Sequence, residues 1–282
     1  MIGHKLRQIR KSRNLTLQET VNGIASVPFL SSVENNKSDI TVKKFSRIIE
    51  RLNISESELY QLLINPEVDS QSDFNENLFT ILKSEDIFLF ELTIEKEKRY
   101  YSKNKNMRHR HNIILLEQYK NYCLKSPINE QQIKKLYQYL YSVDQWGIYE
   151  CNLFGNCVIF LSAEKIIQLY HIAGKNIAKV TDKKQYIQII SRIGFNIVIN
   201  LLDKNDFPNA FDVIQIIKKN LEETDLYYEV NKINYLYGVY LLKTGKKSEG
   251  LTKMEEAIHF MYKMGDNTNA IVHKQKMESY LS

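Results

Sequence analysis

Between Gly3 and Tyr60 four hydroxyl residues, Thr16, Ser26, Thr41 and Ser55, each stand at the head of a run with helically spaced apolar positions. Such side chains satisfy the free amides of a helix start, so their order cuts the stretch into five short helices. The first runs from Gly3 to Arg13, with Leu6, Ile9 and Arg10 at the i, i+3, i+4 spacing of a half-buried helix. Thr16, with Glu19 three residues on, forms a capping box and opens a second helix that ends near Gly23. Ser26 opens a third, in which Pro28 suits the first turn and Phe29, Leu30 and Val33 make an apolar stripe up to Asn35 and Asn36. Thr41 caps a fourth through Leu52, with Val42, Phe45, Ile48, Ile49 and Leu52 inward, and Ser55 a fifth through Leu63. The second and third helices form a helix-turn-helix, whose later helix is the one shaped to enter a DNA groove.

Charge points the same way. Residues 1–65 hold ten Lys or Arg against six acids, a net of +4 out of +6 for the whole chain, which is the footprint expected of a phosphate-binding surface. The outer face of the first helix offers Lys5, Arg7, Arg10, Lys11 and Arg13. Gln18 on the second helix, and Ser26, Phe29, Ser31, Ser32, Asn35 and Lys37 in and after the third, complete the expected DNA contacts. Residues 66–282 carry 29 basic and 27 acidic side chains, so that part should bind something other than a nucleic-acid backbone.

Asn65-Pro66-Glu67 and the polar run to Asn75 set the boundary: residues 1–65 are expected to bind DNA, 66–75 to link, and 76–282 to form a helical-repeat regulatory and dimerisation domain. Gly (10) and Pro (4) are scarce, which favours helices over hairpins; the fold class read here is all-α. No eighteen-residue window is apolar and uncharged, and basic residues interrupt the N-terminus where a signal peptide needs an apolar core. A cytoplasmic protein that does not enter membranes is therefore expected. Cys123, Cys151 and Cys157 show no metal-ligand or nucleophile spacing. No phosphate-binding, dinucleotide-binding or hydrolase motif is present, so neither an enzyme nor a bound cofactor or metal is expected. The basic segment Lys96–His111 reads as a solvated helix end and loop, with an auxiliary phosphate contact as the functional alternative.

The C-terminal third repeats itself faintly. Asn205-x4-Ala210-x6-Ile217 aligns with Gly245-x4-Gly250-x6-Ala257, two helical hairpins about forty residues apart, near the period of tetratricopeptide-like solenoids. Such hairpins stack into a superhelix whose concave side suits a peptide. On that register the groove should show Arg192, Phe195, Asn196 and Ile199, then Asn231, Tyr235 and Val239. Asparagine amides there can grip a peptide backbone whatever its side chains; the competing reading makes these residues inter-repeat packing.

The runs L-R-Q-I-R-K-S-R-N-L-T, L-S-S-V-E-N-N-K-S-D-I and F-S-R-I-I-E-R-L-N-I resemble the lambda-repressor-like (Xre) helix-turn-helix group. With W-G-x-Y-E-x-x-L-F-G-N from Trp146 to Asn156, they resemble the Rgg/MutR family of Gram-positive transcriptional regulators across nearly the whole chain. The resemblance implies a homodimer that binds double-stranded DNA and whose tetratricopeptide-like helices, in the better-known branches, bind a short imported peptide pheromone for quorum sensing. Glu150 and Asn156 match its pattern. One departure stands out: where relatives usually carry Gln, Lys or Arg on the recognition helix, this chain has Val27, Phe29 and Ser32, which removes the bidentate base contacts available to those residues. The alternative function is accordingly a docking adaptor that has lost sequence reading.

Overall fold

The computed structural model describes residues 2–55, 58–59, 71–175, 177 and 182–280. Among them all regular structure is helical, with no strand, and they fall into two compact units, Met1–Phe74 and Asn75–Ser282.

In the first unit α1 (Ile2–Ser12), α2 (Leu17–Val21), α3 (Val27–Glu34) and α4 (Val42–Arg51) enclose Leu6, Val21, Leu30, Ile48, Ile49 and Leu52. Each such side chain gains about 1.5–3 kcal/mol by leaving water. The caps lie where the hydroxyls stand: Thr16 and Glu19 form the full capping box, while Ser26 and Thr41 accept from the amides of Phe29 and Lys44. Ser55 and Glu58 exchange equivalent bonds at 2.8 and 3.3 Å; the rest of the fifth helix lies outside the described residues. Val42, expected inward, is 82% exposed. It directly follows the cap, and the buried side of α4 starts only with Phe45.

Helix α5 (Gln71–Ser84) begins inside the stretch expected as linker. Phe74, Leu78 and Ile81 are buried at helical spacing, which holds residues 71–75 in the helix; 66–70 lie outside the described residues. Then α6 (Ile87–Asn104) and α7 (Met107–Cys123) pack as a hairpin through the left-handed Lys105, at φ 55°. Next come α8 (Glu130–Ser142), α9 (Ile148–Cys157), a 3-10 turn at Val158–Phe160 and α10 (Ala163–Lys175).

The last five helices, α11 (Lys183–Asp203), α12 (Phe207–Leu221), α13 (Tyr227–Lys243), α14 (Lys247–Lys263) and α15 (Asn267–Ser279), form the repeats. The turns before α12, α14 and α15 use Asn205, Gly245 and Gly265 at φ 57°, 92° and 78°, the left-handed conformation that ends helices. Five residues later each following helix buries a small residue, Ala210, Gly250 or Ala270. The third copy of this spacing adds to the two seen in sequence. Between α13 and α14 the approach is closest: a Cβ on Gly238 would lie 2.8 Å from the Gly250 carbonyl oxygen, and one on Gly250 2.7 Å from that of Gly238. Only glycine fits at either place.

Candidate functional site

The helix-turn-helix is fixed at three points. The capping box starts α2, Ser26 starts α3, and Arg51 of α4 donates to the carbonyls of Glu19 (2.9 Å) and Asn22 (3.2 Å) at the end of α2. Arg7, Lys11, Gln18, Ser26, Asn35 and Lys37 are exposed, whereas Lys5, Arg13, Phe29, Ser31 and Ser32 are half-buried. Arg7 donates to Asn35 Oδ1 at 3.2 Å, tying α1 to the end of α3. Arg13 pairs with Glu58 at 2.7 Å, and the Ser32 and Ser38 hydroxyls are 2.7 Å apart. Phe29 lies outside the core cluster, with the Lys44 ammonium 4.6 Å from its ring centre, a cation–π contact that brings positive charge onto the recognition helix. Sequence reasoning missed Lys44 and Arg51 as individual contributors, although both stood in its count of basic residues. Val27 packs against the core, so its apolar character is a packing requirement.

Arg10 is a correction. Expected to face phosphate, it is 7% exposed and grips the 2%-exposed Glu34 through Nε at 2.6 Å and Nη2 at 2.9 Å. Its Nη1 donates to the Leu15 carbonyl at 2.7 Å. The physical reason is its place beside Ile9 and one turn after Leu6, on the inward stripe, where the buried Glu34 carboxylate requires a counter-ion. The hydrogen bond to Glu34 raises the guanidinium pKa further.

In the repeats, Arg192 and Asn196 of α11 are exposed and Ile199 half-buried, in line with Gln188. Gln188 Nε2 (2.9 Å) and Arg192 Nε (3.3 Å) both reach Glu229 Oε1 of α13, whose residue is 1% exposed. Four other groove expectations are corrected. Phe195 and Val239 are core; Asn231 donates to the Ala257 carbonyl at 3.0 Å; and the Tyr235 hydroxyl donates to the His273 carbonyl at 2.9 Å. The cause is the crowding of α13, which contacts α11, α12 and α14 and reaches α15 through Tyr235. The strip left over carries Lys232 and Lys243; Lys232 is one residue, about 100° of helix rotation, from Asn231. Lys243 lies 5.8 Å from the Tyr280 ring centre. Burial, and then the Asp203 charge at the end of α11, raise the Tyr280 phenol.

Residues 91–275, more than half of the chain, match the family described as HTH-type transcriptional regulator Rgg, C-terminal domain. The chain belongs to the Rgg family. Solved structures share the fold over the full length. The SHP pheromone receptor Rgg2 of Streptococcus dysgalactiae is 19% identical, with a TM-score of 0.81 over 99% of each chain. A Listeria monocytogenes EGD-e protein is 21% identical, with a TM-score of 0.83 over 99% of this chain and 97% of its own. A bacterial peptide pheromone/receptor complex is 18% identical, with a TM-score of 0.75 over 100% of this chain and 98% of its own.

The motif that carried the Rgg resemblance holds structure together. The Trp146 indole, 2% exposed, donates to the Leu140 carbonyl at 3.0 Å. Glu150 accepts from the Gly147 amide and the Tyr139 hydroxyl, both at 2.8 Å. Asn156 donates to Asn75 at 3.2 Å, and its carbonyl accepts from Tyr119 at 2.7 Å. The neighbouring basic segment differs from its solvated reading at two histidines. His109 Nδ1 lies 2.7 Å from Glu97 Oε2, which also accepts from Asn112 at 3.1 Å, all three residues being buried. His111 Nδ1 lies 2.8 Å from the Tyr149 hydroxyl, and burial, aided by Arg110, lowers its pKa to about 4. Cys151 and Cys157 are buried and Cys123 half-buried; burial pushes the Cys151 thiol up to about 11. No helix among the described residues is long and apolar enough to cross a membrane.

Proposed function

We propose that this Rgg-family chain is a homodimeric, cytoplasmic, non-enzymatic regulator that reads DNA with α3 and is controlled by a short peptide lying along the shared face of α11, α13 and α15. One observation carries the reading: a fully capped helix-turn-helix, basic on its surface, stands in the same chain as a repeat array whose inner strip keeps polar, half-open side chains. Gln188 and Arg192 of α11 reach across to Glu229 of α13, Asn196 is exposed, and Ile199, Lys232 and Lys243 are half-buried. The receptor character of the similar Rgg2, and the peptide pheromone bound in the similar complex, support it.

DNA affinity comes from Arg7, Lys11 and Lys37 on phosphates, with Gln18, Ser26, Ser31 and Asn35 toward base edges and Phe29 toward a thymine methyl. With few bidentate readers, DNA shape supplies much of the selectivity. The peptide acts through its differential affinity for the dimer's two states.

The test is binding of the purified chain to DNA from upstream of its own gene and its neighbours, against random DNA, at two salt concentrations. Preferential binding that weakens by orders of magnitude between about 50 and 200 mM salt supports the regulator. Equal, salt-insensitive association with both DNAs overturns it in favour of the docking adaptor.

A further inference from the structure

One polar pair on the repeat face is left chemically open. The Lys232 ammonium lies 2.9 Å from His273 Nε2, while His273 Nδ1 lies 2.8 Å from the Asn269 carbonyl oxygen. A carbonyl only accepts, so Nδ1 carries the hydrogen and Nε2 presents its lone pair to Lys232. The partner of this half-buried ammonium is therefore a neutral imidazole. Among the described residues no carboxylate comes within 4.0 Å of it. Asp266 acts on it only at longer range, and its two oxygens accept from the Asn269 amide at 3.0 and 2.9 Å. Lys276 adds a second positive charge nearby. The contrast on the same face is Arg192, which has the Glu229 carboxylate. A cation drawn from water without a counter-charge is costly to hold, and Lys232 retains two ammonium hydrogens for a further acceptor.

We propose that Lys232, with Lys276 beside it, is the receptor for a carboxylate of the bound peptide, supplied by its C-terminus or by an Asp or Glu side chain. The proposal rests on the reading that a peptide occupies this face. On binding, the carboxylate takes the free hydrogens of Lys232 while His273 keeps the third, so the imidazole orients the ammonium and the ligand neutralises it. The carboxylate then sits at the α13–α15 seam, where Lys232 and His273 meet, and the rest of the peptide lies on the face that carries Arg192 and Asn196 of α11.

The experiment incubates the purified full-length chain with four randomised octapeptide pools, free acids and C-terminal amides, each made with and without Asp and Glu, and quantifies retained peptide by mass spectrometry. The wild-type chain should retain at least one carboxylate-bearing pool at least tenfold over amides that lack Asp and Glu. Recovery on adding Asp and Glu to the amides identifies a side-chain carboxylate; no recovery identifies the C-terminus. Lys232→Met should lose the preference and Lys232→Arg should keep it. Lys276→Ala, at an exposed position that leaves the fold intact, should weaken it at least threefold. Equal retention of all four pools by the wild type, or an unchanged preference in both Lys232→Met and Lys276→Ala, overturns the carboxylate receptor while leaving the peptide reading in place. Retention of no pool overturns both.

Discussion

Arg10 in the first unit and Lys232 in the second are both cations withdrawn from solvent, yet their surroundings differ in kind. Arg10 has a bidentate carboxylate and a carbonyl, so its donors are spent within the fold. Lys232 has one neutral nitrogen. A saturated buried cation is a structural part, and the penalty for removing it falls on the carboxylate left behind. An unsaturated one contributes little to the resting fold and has capacity to spare for a ligand. The same distinction marks the two surfaces: beneath the helix-turn-helix the buried cation is fully paired, whereas the repeat face keeps a half-buried cation short of an acceptor.

The largest test of that contrast is Arg10→Ala, which should cost about 3–5 kcal/mol of stability in denaturant unfolding of the full chain. Were Arg10 a phosphate contact after all, the variant would unfold normally and lose only DNA affinity. Acid should separate the units next. The first holds only the exposed His4, while the second buries His109, His111 and His273. A histidine whose folded pKa is lowered leaves stability intact above its ordinary value near 6.5 and loses it as pH falls, because the unfolded chain takes up the proton first. For His111 the loss, complete near pH 4, amounts to roughly 3 kcal/mol; burial lowers His273 in the same direction. Signals in the second unit should therefore melt first on acidification when followed by NMR, and simultaneous loss would count against the assignment.

Smaller is the difference between two asparagines. Asn231→Ala strips the Ala257 carbonyl of its donor and should cost about 1–3 kcal/mol. Asn196→Ala should leave thermal stability unchanged and weaken only peptide retention; reversed outcomes would restore the original groove register. Smallest is Lys232→Met, whose stability should stay within about 1 kcal/mol of wild type. A loss as large as that of Arg10→Ala would make Lys232 a structural cation and erase the comparison.

What was legible in the sequence was what is local. A cap lies within three residues of the amide it satisfies, so Thr16, Ser26 and Thr41 could be placed without any tertiary knowledge. The repeat was visible for the same reason, through its turn residues and the small residue five positions later. The groove was not, because apolar spacing shows which side of a helix is buried only when another side is wet. α13 buries Glu229, Asn231, Ile233, Tyr235, Leu236, Gly238, Val239 and Leu241, positions that run almost all the way round it, so a register one residue off fitted equally well. Arg10 and His109 failed differently. Each was assigned by its own charge type, and each is buried because a carboxylate distant in sequence, Glu34 or Glu97, is buried with it.

The contact of Gly238 with Gly250 gives α13 a mechanical property. Backbone is set against backbone there, with the Met254 side chain and the Leu242 Cβ closing the contact, so a larger residue at either glycine would push the two helices apart. A ligand that displaces α13 is then expected to carry α14 with it, the two moving as one hairpin.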